Sequence, residues 1–70
     1  MIVATIPKNE TEQINVSIEE FRSSIFVDLR VYWKSAAGEW KPSKKGIALN
    51  AKAIGPVIEA LEKASAALEG

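Results

Sequence analysis

The chain has seventy residues, nine basic and nine acidic side chains, and neither cysteine nor histidine, which bounds its chemistry before any motif is read. Disulfides, thiolate metal sites and histidine-based acid–base catalysis are excluded, and no apolar run approaches the roughly 20 residues of a membrane span. One domain this small buries only about 60% of its unfolded surface, so a second copy of the chain is the expected source of the missing burial.

Ile2, Val3 and Ile6 are β-prone, and Pro7 ends or edges the strand they form. Lys8 to Glu12 is polar and reads as a turn. Gln13 to Ile18 alternates, with Ile14, Val16 and Ile18 on one face, which predicts a half-buried strand. Ser17 to Phe21 is expected to turn, leaving Glu19 and Glu20 solvated.

Ile25 to Trp33 carries the clearest period of two. Its odd positions Ile25, Val27, Leu29, Val31 and Trp33 make an apolar face, and Phe26, Asp28, Arg30 and Tyr32 a mixed one. Parity therefore assigns Trp33 to the core side. Asp28 has no histidine, cysteine or second close acid beside it, so an ion pair with a nearby cation is expected rather than catalysis. Lys34 to Glu39, with Gly38, reads as a hairpin loop longer than two residues. Trp40 to Pro42 is expected to return as a short strand, Ser43 to Gly46 to turn again, and Gly46 to Leu49 to form the last strand.

Asn50 is a good N-cap, and after it the period changes to 3.6. Ile54, Val57, Ile58, Leu61 and Leu68 make one apolar stripe, while Glu59 and Lys63 form a favourable i,i+4 pair on the outer side. Gly55-Pro56 predicts a kink or an irregular start, because Pro56 has no N–H to donate. The plan is α+β, an antiparallel sheet followed by one C-terminal helix.

Charge is unevenly spread along this plan. Phe21 to Leu49 holds six of the nine basic residues (Arg22, Arg30, Lys34, Lys41, Lys44, Lys45) and only two acids, with Tyr32, Trp33 and Trp40 among them. Cations interleaved with rings on a sheet suit a single-stranded nucleic acid, whose phosphates meet the charges and whose bases stack on the rings. The bland alternative is a core of aromatics with a solvated rim of lysines. Lys41, Lys44 and Lys45 argue against it, since close like charges repel unless an anion joins them. Signs of an enzyme are missing: the sequence has no phosphate-binding glycine loop, no nucleophile elbow and no ligand pair, so neither catalytic residues nor a metal or cofactor is expected.

The pattern Glu20-Phe21-Arg22, Asp28-Leu29-Arg30-x-Tyr32-Trp33 and Gly38-Glu39-x-Lys41-Pro42-x-Lys44-Lys45-Gly46-Ile47-x-Leu49 resembles the PC4 (p15) transcriptional coactivator family of single-stranded DNA-binding proteins. The resemblance runs from about Gln13 to Leu68 within a single domain of residues 1–70. It implies four antiparallel, curved strands followed by a kinked helix (ββββα), and a homodimer with two grooves for single strands. It also implies that Phe21, Arg22, Arg30, Trp33, Lys41, Pro42, Lys44 and Lys45 line the groove, which moves Trp33 outward against its parity. Ser24 stands where family members often carry a basic residue, and Trp40 where the eukaryotic form has an aliphatic one. The start at Ile2-Val3-Ala4 is similar to compact bacterial or phage members, without the Ser/Lys-rich regulatory arm of the eukaryotic coactivator. The resemblance thus implies an intracellular protein (cytoplasm or nucleoid in a bacterium, nucleus in a eukaryote) that binds unpaired DNA with little sequence preference in transcription regulation. A module that docks to the transcription machinery, or an RNA-binding protein, is the alternative.

Overall fold

The computed structural model describes residues 1–70. Four strands, β1 (Ile2–Pro7), β2 (Glu12–Phe21), β3 (Ser24–Lys34) and β4 (Trp40–Asn50), form one antiparallel meander in the order β1-β2-β3-β4, and helix α1 (Ala51–Glu69) follows. The α+β plan with four strands and one C-terminal helix is therefore the observed one. No helix is long and apolar enough to cross a membrane.

The strands run longer than alternation alone suggested. β2 continues through Glu19 and Glu20 to Phe21, and the chain reverses at Arg22 and Ser23, which have φ of 50° and 67°. Phe21 pairs with Ser24 across this two-residue turn, and positive φ at both central positions matches the right-handed twist of the flanking strands. The expected turn at Ser17 to Phe21 is thus displaced to a pair of residues that carries no glycine or asparagine signal. β4 is likewise one strand, where a strand, a turn and a second strand were expected. The loop before it, Ser35 to Glu39, is closed by Ser35 N–H donating to the Glu39 carbonyl at 2.8 Å, with Gly38 at φ 85°.

Register assigns each side chain to a face. On one side lie the rows Ile6–Ile14–Val31, Ala4–Val16–Leu29–Ile47 and Ile18–Val27–Leu49, ending at Glu12–Trp33–Lys41. On the other lie Pro7–Gln13–Tyr32–Pro42, Thr5–Asn15–Arg30–Gly46 and Ser17–Asp28–Ala48. This second face is knitted from polar groups: Thr5 Oγ1 and Gln13 Nε2 both donate to Asn15 Oδ1, at 3.0 and 3.2 Å.

Asn50 caps the helix as expected, its Oδ1 accepting from Ala53 N–H at 3.0 Å. The helix is continuous through Pro56 rather than starting there. It lies over β3 and β4, and Ile54, Val57, Ile58 and Leu61 face Val16, Val27, Leu29 and Leu49 across an apolar cavity of about 280 Å³. Leu49, at 7% exposure, is the sole buried apolar residue, whereas Ile47, Ile58 and Leu61 are each at least half exposed. The expected Glu59–Lys63 pair does not form; the ion pairs are Met1–Glu19, Lys8–Glu12 and Asp28–Arg30. Two solvated side chains gain little from being held together, so its absence changes the energetics little.

Candidate nucleic-acid interface

The centre of the candidate site is an irregularity in β4. Arg30 pairs with Gly46 and Tyr32 with Pro42, so the single residue Val31 faces three, Ser43, Lys44 and Lys45. Two residues are inserted, an even number, and the alternation of faces survives. Pro42 remains on the side of Arg30 and Tyr32, and Lys41 on the side of Trp33. Lys44 and Lys45, both exposed, project from a bulged backbone instead of a regular ladder.

Parity and exposure both hold for Trp33. It lies on the helix-covered side of the sheet, in register with Glu12 and Lys41, but at the end the helix does not reach, and is 43% exposed. The expectation that parity makes it core is thereby corrected: a face is covered only where something lies on it. Lys45 belongs to the same cluster, since its charge helps to hold the Glu12 carboxyl below its ordinary value. The larger causes of that depression are a hydrogen bond from Asn9 Nδ2 at 2.9 Å and the nearby charge of Lys8. Trp33 thus stands in register between Glu12 and Lys41 at one end of the sheet, with Lys45 near enough to Glu12 for its charge to act on that carboxyl.

The other expected groove residues are distributed differently. Arg30 and Pro42 occupy the opposite face, with Trp40 two residues from Pro42 and in register with Lys34. The Arg30 guanidinium is raised further above its usual value by hydrogen bonding to Asp28, and it remains a permanent cation. The expected ion pair of Asp28 is the one observed, with Arg30 Nε donating to Asp28 Oδ2 at 2.9 Å. Phe21 and Arg22 sit at the far end of the β2–β3 hairpin, where the guanidinium stacks on the ring at 5.2 Å. Nine residue steps along β3, from Ser24 to Trp33, separate these two ends by about 30 Å of extended strand. The chain thus forms one compact basic–aromatic cluster at the bulge and a second, smaller Phe–Arg pair at the hairpin. Ser43, which sequence reasoning treated as a turn residue, fastens the bulge to β3: its Oγ donates to the Val31 carbonyl at 2.6 Å and accepts from Lys45 N–H at 3.1 Å.

Residues 8–60 match the family model described as Transcriptional Coactivator p15 (PC4). The chain is similar to a PC4 homologue from Burkholderia pseudomallei, with a TM-score of 0.88 and 28% identity over 93% of this chain and 88% of that one. MoSub1, solved in complex with ssDNA, matches at a TM-score of 0.60 and 26% identity, covering 93% of this chain and 75% of that one. The bacteriophage T5 homologue of the eukaryotic coactivator PC4, implicated in recombination-dependent DNA replication, shares the fold at a TM-score of 0.72 and 21% identity, covering 99% and 77% of the two chains.

Proposed function

The chain belongs to the Transcriptional Coactivator p15 (PC4) family, and from that premise we propose that it binds single-stranded DNA as a homodimer. The observation that carries the reading is the cluster of Trp33, Lys41 and Lys45 at the uncovered end of the sheet, beside Lys44 on the bulge. A ring with an open face accepts a base from any sequence, and stacking contributes about 1–3 kcal/mol per base. The ammonium groups neutralise phosphates without reading bases, so the expected preference is for unpaired strand over duplex and is weak in sequence. The complex of MoSub1 with ssDNA supports this choice of ligand. Phe21 and Arg22 provide a second contact point along the strand.

The dimer is supported by the apolar side of the sheet. A cavity of about 280 Å³ lined entirely by aliphatic side chains, under a helix whose Leu61 is 59% exposed, is apolar surface that a second copy covers at once. Regulation of transcription, through melted or unpaired promoter DNA, is the role most in keeping with the family.

The test is a titration of labelled oligothymidine and of a duplex of equal length at two salt concentrations. Each neutralised phosphate contributes a log–log slope of about −0.7 on a single strand, so three lysines per chain predict about −2 per chain. Equal affinity for duplex, or no response to salt, contradicts the reading. Tighter binding of oligouridine than of oligothymidine assigns the site to RNA, and binding of an acidic peptide without quenching of tryptophan emission assigns it to a protein partner.

A further inference from the structure

Arg30 has the chemistry of a phosphate ligand without the freedom of one. Its Nε and Nη2 donate to the two carboxylate oxygens of Asp28, each at 2.9 Å, and its Nη1 donates to the Ser43 carbonyl at 3.0 Å. Three of the five guanidinium N–H groups are thereby committed, two of them in the fork-on-carboxylate geometry that fixes orientation as well as charge. The guanidinium lies over Gly46, where an added Cβ would stand 2.8 Å from Arg30 Cζ and 2.7 Å from the Leu29 carbonyl oxygen. Only a bare backbone lets the side chain cross β4 there.

The far end of this linkage is the bulge. Arg30 holds the Ser43 carbonyl, the Ser43 hydroxyl ties back to Val31 and receives Lys45 N–H, and Lys44 and Lys45 follow directly in sequence. A three-residue excursion opposite one residue has no ladder of its own to define it. These side-chain bonds supply the definition, and a loop ordered before its ligand arrives spends less of the interaction on being ordered.

We infer that Asp28, Arg30 and Ser43 form a brace that holds the β4 bulge in the shape presenting Lys44 and Lys45 to a phosphate backbone, with Arg30 a positioning residue and not a phosphate ligand. The inference rests on the single-strand reading above and deepens it, since it assigns the charges that touch the strand.

The two roles for Arg30 differ in sign. Asp28→Asn removes a negative charge beside the site and releases the guanidinium, so a phosphate-contacting Arg30, or net charge alone, predicts tighter binding of oligothymidine. The brace predicts weaker binding by about three- to tenfold, the scale of one or two net hydrogen bonds. Ser43→Ala leaves every charge in place and is expected to weaken binding by a similar factor, with the salt slope unchanged because the lysines remain. Arg30→Lys keeps the charge and loses the fork. It is expected to bind nearly as weakly as Arg30→Ala, whereas a simple phosphate contact is largely restored by lysine. Amide exchange at Lys45 is read in parallel on Asp28→Asn and Arg30→Lys and is expected to accelerate in both. Tighter binding by Asp28→Asn, or wild-type affinity of Arg30→Lys, overturns the brace. A wild-type protein that fails to bind oligothymidine overturns the single-strand reading instead, and Lys45 exchange at the wild-type rate in both variants then overturns the brace as well.

Discussion

Val27 and Trp33 stand on the same side of one strand, six residues apart, and do opposite things. At the Val27 end the helix lies over the sheet, Leu49 is buried, and the side chains are all aliphatic. At the Trp33 end nothing lies over the sheet, the ring is exposed, and its register neighbours are the charged Glu12 and Lys41. Alternation along a strand thus decides which side a residue faces, while the reach of the helix decides whether that side is core or surface. β3 is one continuous paired strand across both ends, so the proposed ligand surface is built on the same scaffold as the surface that holds the fold.

The sharpest way to break this comparison is to truncate one residue at each end. Leu49→Ala is expected to cost about 2–5 kcal/mol of stability in thermal or urea unfolding, because it enlarges an existing cavity and removes the most buried apolar side chain. Trp33→Ala is expected to leave unfolding nearly unchanged and to weaken oligothymidine binding by about 1–3 kcal/mol, one stacked base. If Trp33→Ala unfolds the protein as readily as Leu49→Ala, the two ends are one core and the comparison fails. Gly46→Ala comes next. Its Cβ meets the Leu29 carbonyl and the Arg30 guanidinium, so a loss of about 1–3 kcal/mol is expected in the same unfolding measurement.

Ser23→Gly works in the other direction. It removes a side chain from a left-handed position and is expected to stabilise the hairpin by about 1 kcal/mol, seen as a raised melting temperature with binding unaltered. The smallest effect belongs to Glu12. Its carboxyl is held below its ordinary value chiefly by the Asn9 hydrogen bond, so its folded form favours the carboxylate more than the unfolded form does. That contribution is complete above the ordinary carboxylate value and is lost as pH falls through the lowered one. An NMR titration of the Glu12 side chain checks it, and a midpoint at or above that of the exposed glutamates contradicts the turn geometry.

Much of this was legible in the residues. The period of two in Ile25 to Trp33 fixes both faces of β3, Asn50 announces the helix, and the lack of a catalytic partner for Asp28 foretells an ion pair, though not that Arg30 is the cation in it. Three features were not legible, each for a physical reason. The turn at Arg22 and Ser23 uses left-handed backbone without the residues that favour it, so no local signal marks it. β4 is continuous through pairing with β3 on both sides of the bulge and the Arg30–Ser43 bond across it, contacts thirteen or so residues apart, whereas a run of Ser-Lys-Lys-Gly read locally looks like a turn. The exposure of Trp33 depends on where the helix stops, which is a property of packing and not of alternation.

The division of the sheet is tested most directly by mapping backbone amide shifts of the labelled protein as oligothymidine is added. The account predicts that the largest changes fall on Trp33, Lys41 and Ser43 to Gly46, with Val27, Leu49 and the first turns of the helix nearly still. Changes concentrated on the Val27–Leu49 end, with the bulge silent, would contradict it.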